Sequence, residues 1–299
     1  MMPTSTEPGS SRPTSSMSTG SIEQAVNTDR YPLTKPSGPR LKRAVARAQA
    51  QLAETGCAVL PEFIRPDLHR QIAAEGASIA GEAHYQETTV NVYNTAPDPH
   101  LPADHPARVP MTRGNAFVPR DLIPSGFVVH RLYDSEPFRR FLAACLEVPE
   151  IFALADPLAG LCLNIVRPGR EHPWHFDTNE FAVSLLIQAP ADGGVFEYCP
   201  GIRSAGEENL ADVRAVITGS GRHRVRQLRL RPGDLQLFRG RYSLHRVSPV
   251  AGAVARHTAI LSYSESAGVV GRAERTRQLF GRLTPAHGGE SSRNDGLLD

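Results

Sequence analysis

Five residues of this chain have types and spacing that could do chemistry: His175 and Asp177, then His245, then Arg256 with Thr258 two positions on. The run Glu171-His172-Pro173-Trp174-His175-Phe176-Asp177 has strand character. Alternate side chains of a strand share a face, so His175 and Asp177 point one way and Phe176 into the opposite layer. Two imidazole nitrogens and one carboxylate oxygen suit an octahedral divalent metal such as Fe(II) and leave three coordination positions open. Arg256 offers a planar fork that holds a carboxylate by two charge-assisted hydrogen bonds, which Lys does less well. Taken singly, each histidine reads as a surface or core residue and the arginine as a solvated one. Taken together and in this order, they read as a site.

The elements around these residues place them on strands. Leu161 to Val166 is an apolar run containing Asn164, and it leads into the His-x-Asp segment. Glu180 to Gln188 is long enough to cross a sheet, and Asp192-Gly193-Gly194 turns it into Val195 to Cys199. A short helix is expected near Leu210 to Ile217, after which Val225 to Leu230 resumes the sheet. Pro232-Gly233 then feeds Leu235 to Phe238, and Arg239-Gly240-Arg241 turns into Ser243 to Val247 with His245 early in the strand. The last strand runs from Ala255 to Tyr263 and puts Arg256, Thr258, Ile260 and Ser262 on one face. About eight strands joined by turns, with the metal residues among them, describe a mainly β fold with flanking helices around a double-stranded β-helix core, the jelly-roll or cupin-like form. Helices are expected from Leu41 to Glu54, Arg65 to Ala80 and Ser135 to Leu146.

This ordered set resembles the Fe(II)/2-oxoglutarate-dependent dioxygenases over roughly residues 41 to 265. The resemblance implies Fe(II) on His175, Asp177 and His245, with 2-oxoglutarate as co-substrate beside O2. It also implies that Arg256, Thr258 and Asn164 hold the 2-oxo acid. The runs from Trp174 to Phe181, from Gly193 to Tyr198 and from Ser243 to Val247 resemble, more narrowly, bacterial standalone hydroxylases, halogenases and related tailoring oxygenases of free amino acids. That likeness implies a small amino-acid-like substrate whose carboxylate is held by Arg113 and His172, with Trp174, Thr178 and Ser262 as further substrate contacts. The expected reaction is hydroxylation or oxidative cyclisation at an unactivated carbon. Halogenating members carry Gly at the metal carboxylate, so Asp177 implies that this chain does not halogenate. Members that take lysine surround its ammonium with acids. The matching positions here are Leu158, Thr178, Ile260 and Ser262, which implies a side chain without a free cation unless Glu180 or Glu197 faces the pocket. Two other readings stay open, a cupin-like metalloprotein that uses no 2-oxoglutarate and a non-enzymatic metabolite sensor on the same fold.

Composition agrees with one enzyme-sized domain. The chain has 299 residues, 40% of them hydrophobic, and a formal net charge of +2. That balance gives no electrostatic case for nucleic acid or an anionic membrane, and no apolar run approaches the ~20 residues that cross a bilayer. Cys57, Cys145, Cys162 and Cys199 form no CxxC pair, so buried thiols are expected rather than disulfides or structural zinc. With no charged and then apolar leader pattern at the N-terminus, a cytoplasmic location is expected. Residues 1–38, rich in Ser, Thr, Pro and Gly, are expected to be disordered. Residues 39–270 form the domain, with a helical and loop cover over 39–160 and the jelly-roll core over 161–265. Residues 271–299 are a tail or lid. The proline-rich stretch 84–126 is expected to lie as ordered loops over the site.

Overall fold

The computed structural model describes residues 22–288 together with 297 and 298. Two antiparallel sheets make the core. The larger has seven strands, in the order Cys57–Leu60, Leu235–Phe238, Ala182–Gln188, Arg256–Leu261, Leu161–Val166, Asn115–Pro119 and His84–Tyr85. The smaller has four, in the order Arg226–Leu228, Phe196–Cys199, Leu244–Val247 and His172–His175. From Leu161–Val166 to Arg256–Leu261 the chain passes back and forth between the two sheets, with only Phe196–Cys199 and Arg226–Leu228 consecutive in one, which is the double-stranded β-helix expected from the turn spacing. Among the described residues no helix is long and apolar enough to cross a membrane.

Helices back the larger sheet on its outer face. Helix α1 (Pro39–Thr55) buries Leu41, Ala48 and Leu52 and ends at Gly56, whose left-handed φ of 66° lets its N–H reach the Leu52 carbonyl. The chain then enters the edge strand directly. Helix α2 (His69–Ile79) packs on the strand Ala182–Gln188, and α3 (Val128–Asp134) and α4 (Glu136–Leu146) complete the layer with α1. Two shorter helices, α5 (Leu210–Ile217) and α6 (Ala273–Phe280), lie outside this layer. All four cysteines are free and buried.

The disorder expected over residues 1–38 does not hold from residue 22 onward. Residues 1–21 lie outside the described residues, but Ile22, Val26, Tyr31 and Leu33 are buried in the main core. The Tyr31 ring packs at a tilt against Phe63, centroids 5.1 Å apart, and Val26 forms a β-bridge with Ile64. Low mean hydropathy concealed these few apolar residues, which are spaced to dock one at a time onto the helical layer.

The cover also differs from the expectation. Within 84–126 the chain forms the hairpin Thr88–Val90 with Met111–Arg113 and adds two strands to the larger sheet. Only Asn94 and Phe117 of this stretch line the central cavity, whereas twelve residues from Leu261 to Phe280 do. The segment from Ser264 to Phe280 therefore supplies more of the cavity wall than the stretch 84–126 does. Asp156, fully buried, ties it down: Oδ1 accepts from the N–H groups of Leu158 and Ala159, and Oδ2 from Gly271 N–H and the His287 ring. Asp156→Ala would strand buried donors on two segments, so a loss on the order of 3–5 kcal/mol is expected in denaturant unfolding. An unchanged midpoint would show that this anchor is not needed.

Candidate metal and co-substrate site

His175 and His245 are directly opposed on adjacent strands of the smaller sheet. Each Nδ1 lies against a backbone carbonyl two residues earlier, His175 on Pro173 at 2.8 Å and His245 on Ser243 at 3.0 Å. A carbonyl only accepts, so each Nδ1 carries the proton and each Nε2 turns its lone pair inward. Both Nε2 atoms face Asp177 Oδ1, at 3.6 Å for His175 and 3.4 Å for His245. One ligand atom from each of the three residues lies within 4.8 Å of the others. Burial holds His175 well below the ordinary imidazole range, with His172 and His245 adding to the effect, so it is neutral as a ligand must be. Burial pushes Asp177 up, but His245, His175 and the Arg275 guanidinium outweigh it and hold the carboxyl down to about 2. This donor set fits Fe(II).

Gly240, in the turn before the His245 strand, is a part of the site that motif reading missed. Its carbonyl accepts the Asp177 N–H at 3.1 Å, and a Cβ at this position would fall 1.9 Å from Asp177 Oδ2. Only glycine lets the carboxylate stay there. Gly240→Ala is expected to lower Fe(II) affinity by roughly 10–100-fold, the usual effect of disturbing a ligand's support. Anaerobic Fe(II) titration checks this, and wild-type affinity would refute it.

A β-bulge decides which neighbours share the metal face. His175 pairs with His245 but His172 pairs with Val247, so two residues, Pro173 and Trp174, oppose Arg246 alone. The extra residue swings His172 onto the face of His175, and the two rings stack at 3.9 Å. The same bulge turns Trp174 outward. Expected as a substrate contact, it does not line the cavity; it packs in a satellite core under the Arg246 guanidinium, 4.8 Å away. Behind the motif, Phe176 stacks on Tyr93 at 6.0 Å, and the buried Arg203 guanidinium covers it at 3.8 Å.

The larger sheet supplies the opposite wall. Arg256 and Thr258 point into the lumen, the guanidinium donating to the Thr258 hydroxyl, and Asn164 pairs across from Thr258. Asn115 donates to Asn164 Oδ1 at 3.0 Å and fixes its amide. Arg256 is 4% exposed, and burial lowers it to about 10; among the described residues no acidic side chain forms an ion pair with it. A buried guanidinium fork needs an anion, and a carboxylate matches its geometry. Arg246 and Arg241, which lie close to His245 in the chain, are engaged elsewhere: Arg246 donates to Glu197 at 2.6 Å, and the buried Arg241 donates to the Thr178 carbonyl at 3.2 Å.

Both walls enclose one cavity of about 520 Å³ that the metal ligands, Arg256, Thr258 and Asn164 all line. His172, Thr178, Ile260 and Ser262 also line it, while Leu158 is buried in a separate apolar cluster. Neither Glu180 nor Glu197 faces it. Arg113 is buried close behind, outside the lining; one Nη donates to the Gln278 carbonyl at 3.2 Å, and Nε and the other Nη have no hydrogen-bond partner. Burial lowers Arg113 to about 10. A fourth cation, Arg275 of α6, does line the cavity and went unread, because nothing in the local sequence links that helix to a site almost a hundred residues upstream.

Residues 41–278 match the family model described as Halogenase D. The chain belongs to the Halogenase D family. No curated protein matches it. Among solved structures, AviO1 from Streptomyces viridochromogenes is 19% identical, covering 75% of this chain and 96% of its own, with a TM-score of 0.52. The epimerase SnoN, solved with Fe3+, alpha ketoglutarate and nogalamycin RO, is 13% identical over 86% of this chain and 96% of its own, with a TM-score of 0.51. At these identities the likeness is one of fold. The family membership and the fold agree with the dioxygenase resemblance read from the motif.

Proposed function

We propose that this Halogenase D family member is an Fe(II)/2-oxoglutarate-dependent oxygenase that oxidises an unactivated carbon of a small amino-acid-like molecule. One observation carries the reading: a His-Asp-His cluster on one sheet and a buried, acid-free Arg-Thr pair on the other face each other across a single cavity. His175, Asp177 and His245 would hold the iron, and Arg256 with Thr258 and Asn164 the co-substrate. Bound iron, with a 2-oxo acid and O2, supplies the oxidising power. The chain's own residues bind, orient and exclude water. The two backbone carbonyls fix the ligand tautomers, the Thr258 hydroxyl steadies the Arg256 fork, and the α6 segment closes the cavity from solvent.

Asp177 supports oxygenation over halogenation, since it keeps a protein carboxylate at the position that halogenating relatives of the motif leave to Gly. His172, with Nε2 buried and unpartnered, and Arg113 behind it supply hydrogen-bond donors and charge for a substrate carboxylate. The test is succinate release with Fe(II), 2-oxoglutarate and chloride present, against a panel of free amino acids and N-oxidised derivatives, with mass spectrometry of products. Hydroxylated or cyclised products are expected, and none chlorinated. Stimulation only by carrier-bound substrates would end the small-molecule reading, and chlorinated product would end the argument from Asp177.

A further inference from the structure

The cavity holds more positive charge than iron and a 2-oxo acid use. Iron(II), the Asp177 carboxylate, a doubly ionised 2-oxo acid and Arg256 cancel one another's charge. What remains is cationic. Apart from Asp177, no Asp or Glu lines the cavity among the described residues, yet Arg275 reaches it from α6 and Arg113 lies buried behind; Arg272, just before the helix, also lines it but is engaged with other residues. Among the described residues the only hydrogen-bond acceptor to Arg275 is the side-chain oxygen of Gln278, one turn further along its own helix. Burial lowers Arg275 to about 9; the Arg113 charge adds to the effect and the Asp177 carboxylate opposes it. Arg275 lines the same cavity as His172 and Asp177, and its charge is felt at both.

A neutral amino acid brings one carboxylate, which His172 and Arg113 are sufficient to meet. It also brings an ammonium, for which the lining offers no carboxylate. Two cations on the substrate side of the cavity call for two anionic groups.

We infer that Arg275 recognises a second anionic group, so that the substrate class is an amino dicarboxylate or an analogue with an acidic side chain. This deepens the oxygenase reading and rests on it. Helix α6 sits well for the task. Phe280 packs edge-on against Phe117 at 6.2 Å, and Phe117 packs against His172 at 6.5 Å. The helix that carries Arg275 is thereby keyed to the residue proposed to hold the first carboxylate.

The experiment compares aspartate, glutamate and 2-aminoadipate with their side-chain amides and with lysine, using succinate release by the full chain loaded with Fe(II) and 2-oxoglutarate. At least one acid is expected to stimulate release tenfold or more over its amide, as one lost ion pair implies (roughly 1.4 kcal/mol per tenfold). Arg275→Ala is expected to raise KM for that acid about thirty-fold and to bring acid and amide within a few-fold of each other. A merely structural role would depress both alike. Arg275→Lys should recover part of the acid preference. Anaerobic absorbance of the Fe(II)/2-oxoglutarate complex separates the two levels of inference. If the visible band forms but a neutral amino acid or lysine stimulates best, the Arg275 assignment is wrong and the oxygenase reading stands. If no band forms, both fall.

Discussion

Replacing Asp177 by Ala is expected to abolish oxygenation and to lower Fe(II) affinity by more than about a hundredfold, since disturbing even the outer partners of metal ligands costs about 10–100-fold. Asp177 lies beyond the end of its strand, next to Gly240, and its Oδ1 is the atom that both imidazole Nε2 groups face. Without it the site keeps two nitrogens and no anionic donor. The barrel should stay folded, because the Asp177 side chain packs on a turn and not in the core. Anaerobic Fe(II) titration and succinate release measure the two losses, and circular dichroism checks the fold. His245→Ala should behave in the same way. A His245→Ala protein with full iron affinity and turnover would mean that the metal site is elsewhere.

Arg256→Ala is expected to weaken 2-oxoglutarate binding thirty-fold or more. Truncating one member of a buried, hydrogen-bonded charge pair costs about 2–4 kcal/mol, and each 1.4 kcal/mol is about tenfold. Iron affinity should change little, because Arg256 sits on the opposite sheet from the metal ligands. Thr258→Ala should cost less than Arg256→Ala, as it removes only the hydroxyl that steadies the fork. The readout is the 2-oxoglutarate dependence of the anaerobic visible band. An unchanged dependence would exclude Arg256 as the anchor. It would turn attention to Arg275, which also lines the cavity, because Arg241 and Arg246 are committed to the Thr178 carbonyl and to Glu197 and do not line it.

Much of this molecule was legible in the sequence because its signals are local. Alternation along Arg256–Leu261 put Arg256 and Thr258 on one face, and turn residues marked where each strand began. Such period-two patterns depend only on a residue's own neighbours. The metal triad was legible for the same reason, each member sitting in or just after a strand whose ends the turns define. What the tertiary structure alone decided depends on register and on distant chain. The bulge opposite Arg246 carried His172 inward and Trp174 outward, and no alternation rule reveals where a ladder slips by one residue. The need for Gly at position 240 comes from a carboxylate 63 residues earlier in the chain. Docking of residues 22–38 rests on five scattered apolar side chains that composition averages away. The C-terminal cover, and with it Arg275, is held over the cavity by Asp156, whose hydrogen bonds reach more than a hundred residues along the chain to Gly271 and His287. A side chain's charge is written in the sequence, but the cavity it enters is set by contacts between segments that the sequence keeps far apart.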